Sequence, residues 1–146
     1  MMTILVFVLI SIGAVILDQV TKLLAVNFLK PIDTFPIIKD VLHLTYSENT
    51  GAAFGMLKDA RWVFMVFSVA AIIAIIVYFI VVKPTDKLCI TALSFILGGG
   101  IGNMIDRVLY GYVVDFIDFR LINFAIFNGA DSFITVGAAL LMLYFI

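Results

Sequence analysis

Charge is scarce in this chain. Of its 146 residues, 13% are Asp, Glu, Lys or Arg, and the formal net charge is −1. That balance excludes the basic surface a nucleic-acid partner needs. Thiols and imidazoles are scarcer still. The single cysteine, Cys89, sits inside an apolar run, cannot form an internal disulfide, and reads as a small buried apolar residue. With one Cys and one His (His43), a zinc site lacks ligands, and neither a metal nor any other cofactor is expected. No internal repeat or low-complexity stretch is present. The first apolar run has no positive segment before it and no clear small-x-small cleavage site, so it reads as a retained helix, not a cleaved leader.

What fills the chain is apolar: 64% hydrophobic residues, and a mean hydropathy of +1.24. Soluble domains sit near ~45–50%. A soluble fold of this size could not hide the excess, so the solvent is lipid. One integral-membrane domain over residues 1–146 is expected, because the hydrophobic runs must pack against one another. Four runs stand out. The first covers Met2 to Leu17 and continues as helix through Phe28. The second covers Trp62 to Val82, about 31 Å at helical rise. The third covers Leu88 to Ile105, and the fourth Ser132 to Ile146. The fourth is marginal for a span, so the expectation is a slightly short helix or a natural chain that continues past Ile146.

The fold class that follows is mainly α: four transmembrane helices with a small β platform. Lys83–Lys87 is a tight turn, and Pro84 stops the second helix. Residues 30–60 and 108–130 are long, and an even number of spans puts both on one side, opposite the termini. Val41–Tyr46 and Tyr112–Phe119 are rich in β-branched and aromatic residues and read as extended segments of a platform at the membrane surface. Charge leaves the orientation open. Lys83 and Lys87 favour a cytoplasmic short turn, whereas Lys30, Lys39, Lys58, Arg61 and Arg120 on the long segments argue the other way.

Against this background, carboxylates gather in residues 98–132: Asp106, Asp115, Asp118 and Asp131. Gly98, Gly99, Gly100 and Gly102 on the third helix suit close helix packing. Asn103, Asp106 and Arg107 follow at i, i+3 and i+4 and share a face, where a structural pairing is the plain interpretation. Asp115 and Asp118 lie three apart in an extended segment and point to opposite faces. One of them should face the helices, and the other should be solvated or paired with a base such as Arg120. Asp131, in Asn128-Gly-Ala-Asp-Ser132, is either an N-cap of the fourth helix or a partner for one of the earlier aspartates. Two close carboxylates cannot easily both ionise. Such a pair can take a proton from water and deliver one to a leaving amide nitrogen. Asp18 and Lys22, at i and i+4, can pair on the first helix. In Glu48-Asn-Thr-Gly-Ala-Ala-Phe-Gly55, Gly51 and Gly55 suggest a turn, and Asn49 can hold a peptide backbone or an aspartate.

Taken together and in order, Asp18–Lys22, Glu48–Phe54, Gly102–Arg107, Gly111–Asp118 and Asn128–Ser132 make this chain resemble the lipoprotein signal peptidases (signal peptidase II), bacterial intramembrane aspartic peptidases. The resemblance covers nearly the whole chain. It implies four transmembrane helices in the bacterial cytoplasmic (inner) membrane, both termini cytoplasmic, the platform extracytoplasmic and the active site near the outer leaflet. It also implies that Asp115 and Asp131 are catalytic and Asp118 is not. Asn49, Gly51, Asn103, Arg107 and Asn128, with Asp18, Lys22 and Asp106, match positions that bind substrate or support the site. Two departures are visible: Gly129 stands where the family more often has a branched apolar residue or proline, and no basic tail follows Ile146. Truncation would explain the second.

The activity so implied is endopeptidase removal of the signal peptide from a diacylglyceryl-modified prolipoprotein, cut before the lipidated cysteine by a water activated between Asp115 and Asp131. The expected partners are that lipid-modified substrate and membrane lipid, and a monomer is the default. The rivals are a proton-coupled transporter, since intramembrane carboxylates mark ion paths, a metal-requiring hydrolase, and a non-catalytic scaffold in which Asp131 is only a cap. Against the transporter, no repeat symmetry or broken helix pair is visible.

Overall fold

The computed structural model describes residues 2–51 and 61–146. Gly55 and Lys58 lie outside the described residues. Helix α1 covers Met2–Leu24 and runs on into a π-helical turn over Ala25–Leu29. Helix α2 covers Arg61–Val82, α3 Lys87–Leu109 and α4 Gly129–Phe145. The segment Met2–Leu29 and helices α2 and α3 are long and apolar enough to cross a membrane, whereas α4, at 17 residues, is shorter. The clearest sign of lipid is α2. It buries only Phe79, while Phe67 is 71% and Val81 72% exposed. A helix apolar on all sides has no face to turn to water.

Two boundaries differ by more than one residue from the sequence-based expectation. Helix α3 runs four residues past Ile105, to Leu109, because Asp106 and Arg107 find partners inside the protein and have no need to leave the helix for solvent. Helix α4 starts at Gly129, ahead of Ser132, because Asn128 caps it. The turn before α3 is as expected at Pro84, and Asp86 closes it by accepting the Cys89 backbone N–H at 3.0 Å.

Helix α3 is the centre of the bundle and packs against α1, α2 and α4. Its glycines allow this. A Cβ on Gly98 would lie 2.6 Å from the Ala14 Cβ of α1, and one on Gly102 would collide with the Asp18 carboxylate. Lower in the bundle the apolar core is Phe7, Phe79, Ile90, Leu93 and Leu97, with the Phe7 and Phe79 rings stacked at 4.0 Å.

The two long connections form one structure, as the sequence suggested. Strands β1 (Thr34–Ile38), β2 (Leu42–Asn49) and β3 (Val113–Phe119) make an antiparallel sheet in the order β1-β2-β3. Pro36 sits in the edge strand, where a missing N–H costs least. Ala25, Leu29 and Val114, with Tyr46, Tyr112 and Phe116 against them, join the sheet to the end of α1. Strand β3 also meets the end of α3, where Asp106 accepts the Val114 N–H, and the start of α4, where Asn128 donates to Asp115.

Candidate active site

The alternation of β3 separates its two aspartates. Asp118 is opposite His43 in the register. Its Oδ2 accepts from Thr45 at 2.8 Å and from Arg120 Nε at 2.9 Å, the pairing expected for the aspartate that turns away from the helices. Asp115, opposite Ser47, turns towards the bundle and is 2% exposed. Both its oxygens accept carboxamide protons: Oδ2 from Asn49 at 2.9 Å, Oδ1 from Asn128 at 2.6 Å.

Asp131 is not the cap of α4. Asn128 takes that role, with extended backbone (φ −137°, ψ −176°) and its side chain accepting the Asp131 backbone N–H at 2.9 Å. Asp131 therefore sits in the first turn, free to point inward, and its Oδ1 accepts from Asn103 Nδ2 at 2.8 Å. A Cβ at Gly129 would meet Asp18 Oδ1 at 3.4 Å, an ordinary contact.

Asp115 and Asp131 line one cavity of about 570 Å³. Asn49, Gly51, Asn103 and Arg107 line it too, while Phe64, Phe124, Phe127 and Val136 supply apolar wall. The Arg107 guanidinium lies over the Phe64 ring, 5.4 Å from its centre. Asn128 is fully buried behind the pair. The structure thus brings Asn49, Gly51, Asn103, Arg107 and Asn128 around the two aspartates. Burial, and then the neighbouring Asp131 carboxylate, push the Asp115 carboxyl up to about 7 against the amide hydrogen bonds, which pull it down.

The remaining site residues form a second layer. Lys22, 3% exposed, reaches Asp18 Oδ2 at 2.9 Å, Asp106 Oδ2 at 3.0 Å and Asn103 Oδ1 at 2.9 Å. Asp18 also accepts the Ala130 backbone N–H at 2.8 Å, and Asp106 that of Val114 at 3.0 Å. The two carboxylates therefore tie the start of α4 and strand β3 to α1 and α3. Sequence reasoning passed over Gln19, whose amide donates to Asp106 Oδ1 at 3.0 Å and to the Gly102 carbonyl at 3.1 Å. Its place inside the Asp18–Lys22 motif was the available signal.

An apolar helical body with a polar, aspartate-bearing cavity beneath a small sheet defines a membrane-embedded enzyme. Two solved bacterial membrane enzymes have this architecture. One, determined by the in meso method at 2.3 Å resolution, superposes with a TM-score of 0.88 at 38% identity, over 95% of this chain and 86% of that one. The other, at 1.9 Å, gives 0.86 at 37%, over 96% and 92%. Residues 10–146 match the model of the signal peptidase (SPase) II family, and the chain belongs to that family. It is 53% identical over 127 residues to the lipoprotein signal peptidase of Caldanaerobacter subterraneus subsp. tengcongensis, covering 87% of this chain and 86% of the relative. It is 44% identical over 137 residues to that of Brevibacillus brevis, covering 94% and 92%. The protein is a peptidase embedded in a membrane.

Proposed function

We propose that this peptidase removes signal peptides from lipoproteins by an aspartic mechanism in which Asp115 and Asp131 share one proton and activate one water. The observation that carries the reading is the placement of these two carboxylates, 16 positions apart in sequence and on different elements, in one largely apolar cavity where their hydrogen-bonding neighbours are amide donors. The ionised member takes a proton from water as oxygen attacks the scissile carbonyl, and the protonated member gives its proton to the departing amine. Amide donors and a largely apolar cavity wall support this chemistry, because electrostatic terms strengthen where water is excluded.

The substrate in this reading is a prolipoprotein whose cysteine already carries a diacylglyceryl group, and the bond cut precedes that cysteine. Strands β1–β3 hold the extended peptide above the cavity. Helix α4 serves as a fourth span, with both termini cytoplasmic and the site at the outer leaflet of the cytoplasmic membrane. A single chain suffices, and no metal takes part. Support for this geometry comes from the position of the cavity at the junction of helices and sheet.

The test is cleavage of a diacylglyceryl-modified prolipoprotein by purified protein in lipid, comparing wild type with Asp115→Asn and Asp131→Asn. Wild-type cutting before the lipidated cysteine, lost in both folded variants, is the expected result. A variant that cuts at the wild-type rate removes that aspartate from the mechanism.

A further inference from the structure

Carboxamides are ambiguous groups, since either end can face a neighbour. Around the aspartate pair none of the three is ambiguous. Asn49 Oδ1 accepts the Gly51 backbone N–H at 2.9 Å, so Nδ2 must face Asp115. Asn128 Oδ1 accepts the Asp131 backbone N–H at 2.9 Å, so its Nδ2 also faces Asp115. Those two locks are backbone groups that can only donate. The lock on Asn103 is different: it is the Lys22 ammonium, 2.9 Å from Oδ1. An ammonium has three protons and no acceptor, and here all three are engaged, by Asp18, Asp106 and Asn103. Asn128 Nδ2 also reaches Asn103 Oδ1, but at 3.2 Å, and its short bond of 2.6 Å goes to Asp115.

We propose that Lys22 is a positioning residue for the aspartate pair: it occupies Asn103 Oδ1 with a donor that cannot reverse, and so turns Asn103 Nδ2 onto Asp131. Lys22 touches neither member of the pair by hydrogen bond. The role rests on the aspartate-pair reading above and adds to it the origin of the amide polarity. The plain alternative is that Lys22 only balances buried charge. Among the described residues, Asp18 from α1, Asp106 and Arg107 from α3, Asp131 from α4 and Asp115 from β3 are the other charged groups around it and the pair.

The two are separable by titrating the pair without substrate. Infrared spectroscopy of the purified chain in detergent follows the protonated carboxyl bands that disappear in Asp115→Asn and Asp131→Asn. Lys22→Met alone leaves Asp18 and Asp106 buried without their cation, which endangers folding. The measurement is therefore made in an Asp106→Asn background, where the lost positive charge is matched. With Asn103 present, adding Lys22→Met is expected to move the titration up by roughly one pH unit through the lost Asn103 hydrogen bond, beside a smaller rise from the lost Lys22 charge. With Asn103→Leu also present, that shift is expected to shrink by more than half, because the residue through which Lys22 acts is gone. Lys22→Arg in the same background, which keeps an obligate donor, should titrate as its Asp106→Asn parent. No shift in the first comparison, or a shift that persists at more than half its size in the second, overturns the proposal. Failure of wild type to cleave a lipoprotein precursor would instead sink the function reading, and the titration would stand apart from it.

Discussion

One carboxamide serves both aspartates. Asn128 donates from Nδ2 to Asp115 Oδ1 at 2.6 Å, and accepts at Oδ1 from the Asp131 backbone N–H at 2.9 Å. The cap of α4 and the hold on Asp115 are thus a single side chain. Asn128→Asp keeps the cap, since Asp caps about as well as Asn, but puts a carboxylate where the amide donor was. Cleavage is expected to fall steeply, and Tm to fall with it, because a second buried carboxyl then faces Asp115 where the amide proton was. Asn128→Ala should lower both, with about 1 kcal/mol lost from the missing cap. Thermal unfolding and cleavage rates on the same preparations check this, and unchanged cleavage by Asn128→Asp would refute it.

The Asp115 carboxyl, lifted to about 7 chiefly by burial and then by Asp131, predicts an alkaline limit to activity. In the proposed mechanism the pair works with one shared proton, which is lost as pH rises through about 7, so cleavage should decline above neutrality. The sign for stability follows from the same shift. A carboxyl whose folded value lies above its ordinary 3.8 binds protons more tightly when folded, so its contribution to stability falls as pH rises from about 4 to about 7. The Asn49 hydrogen bond lowers this value. Asn49→Ala is therefore expected to be slower but to keep its activity to higher pH, as read from a pH–rate profile.

Neighbouring glycines of α3 should respond differently to alanine. A Cβ at Gly102 runs into the Asp18 carboxylate, which Lys22 and the Ala130 N–H hold in place. A Cβ at Gly100 meets only Ile72 Cγ1, at 3.7 Å. Gly102→Ala is expected to reduce the yield of folded protein severely. Gly100→Ala should be neutral or stabilising by up to about 1 kcal/mol, the helical preference of Ala over Gly. Detergent size-exclusion profiles and Tm distinguish the two.

Asp118 is held by Arg120 and Thr45 on the far side of the strand from Asp115. Asp118→Asn should weaken the sheet yet leave cleavage per folded enzyme near wild type, whereas Asp115→Asn should abolish it. Equal losses in both variants would show that distance from the cavity does not protect a carboxylate of this strand.

Much of this was legible in the chain. A helix that must live in lipid announces itself by length and hydropathy, so α2 could be read to within one residue. Period-two alternation separated Asp115 from Asp118, and the i, i+4 spacing paired Asp18 with Lys22. These are local properties, set by backbone geometry within one element. The ordered motifs carried the family.

Other features needed the fold. Sequence left Asp131 either a cap or a partner, because both roles suit an aspartate at a helix start. The answer depended on Asn128 having an extended backbone and a side-chain oxygen placed to accept the Asp131 N–H. The length of α3 depended on Lys22, 84 positions before Asp106, waiting across the bundle for its carboxylate. Composition and spacing by themselves determined a lipid-embedded chain with a handful of polar residues to place. Which of those residues meet, and which end of each amide faces a carboxylate, was decided only in three dimensions, because hydrogen-bond polarity belongs to pairs of groups that the chain brings together from far apart.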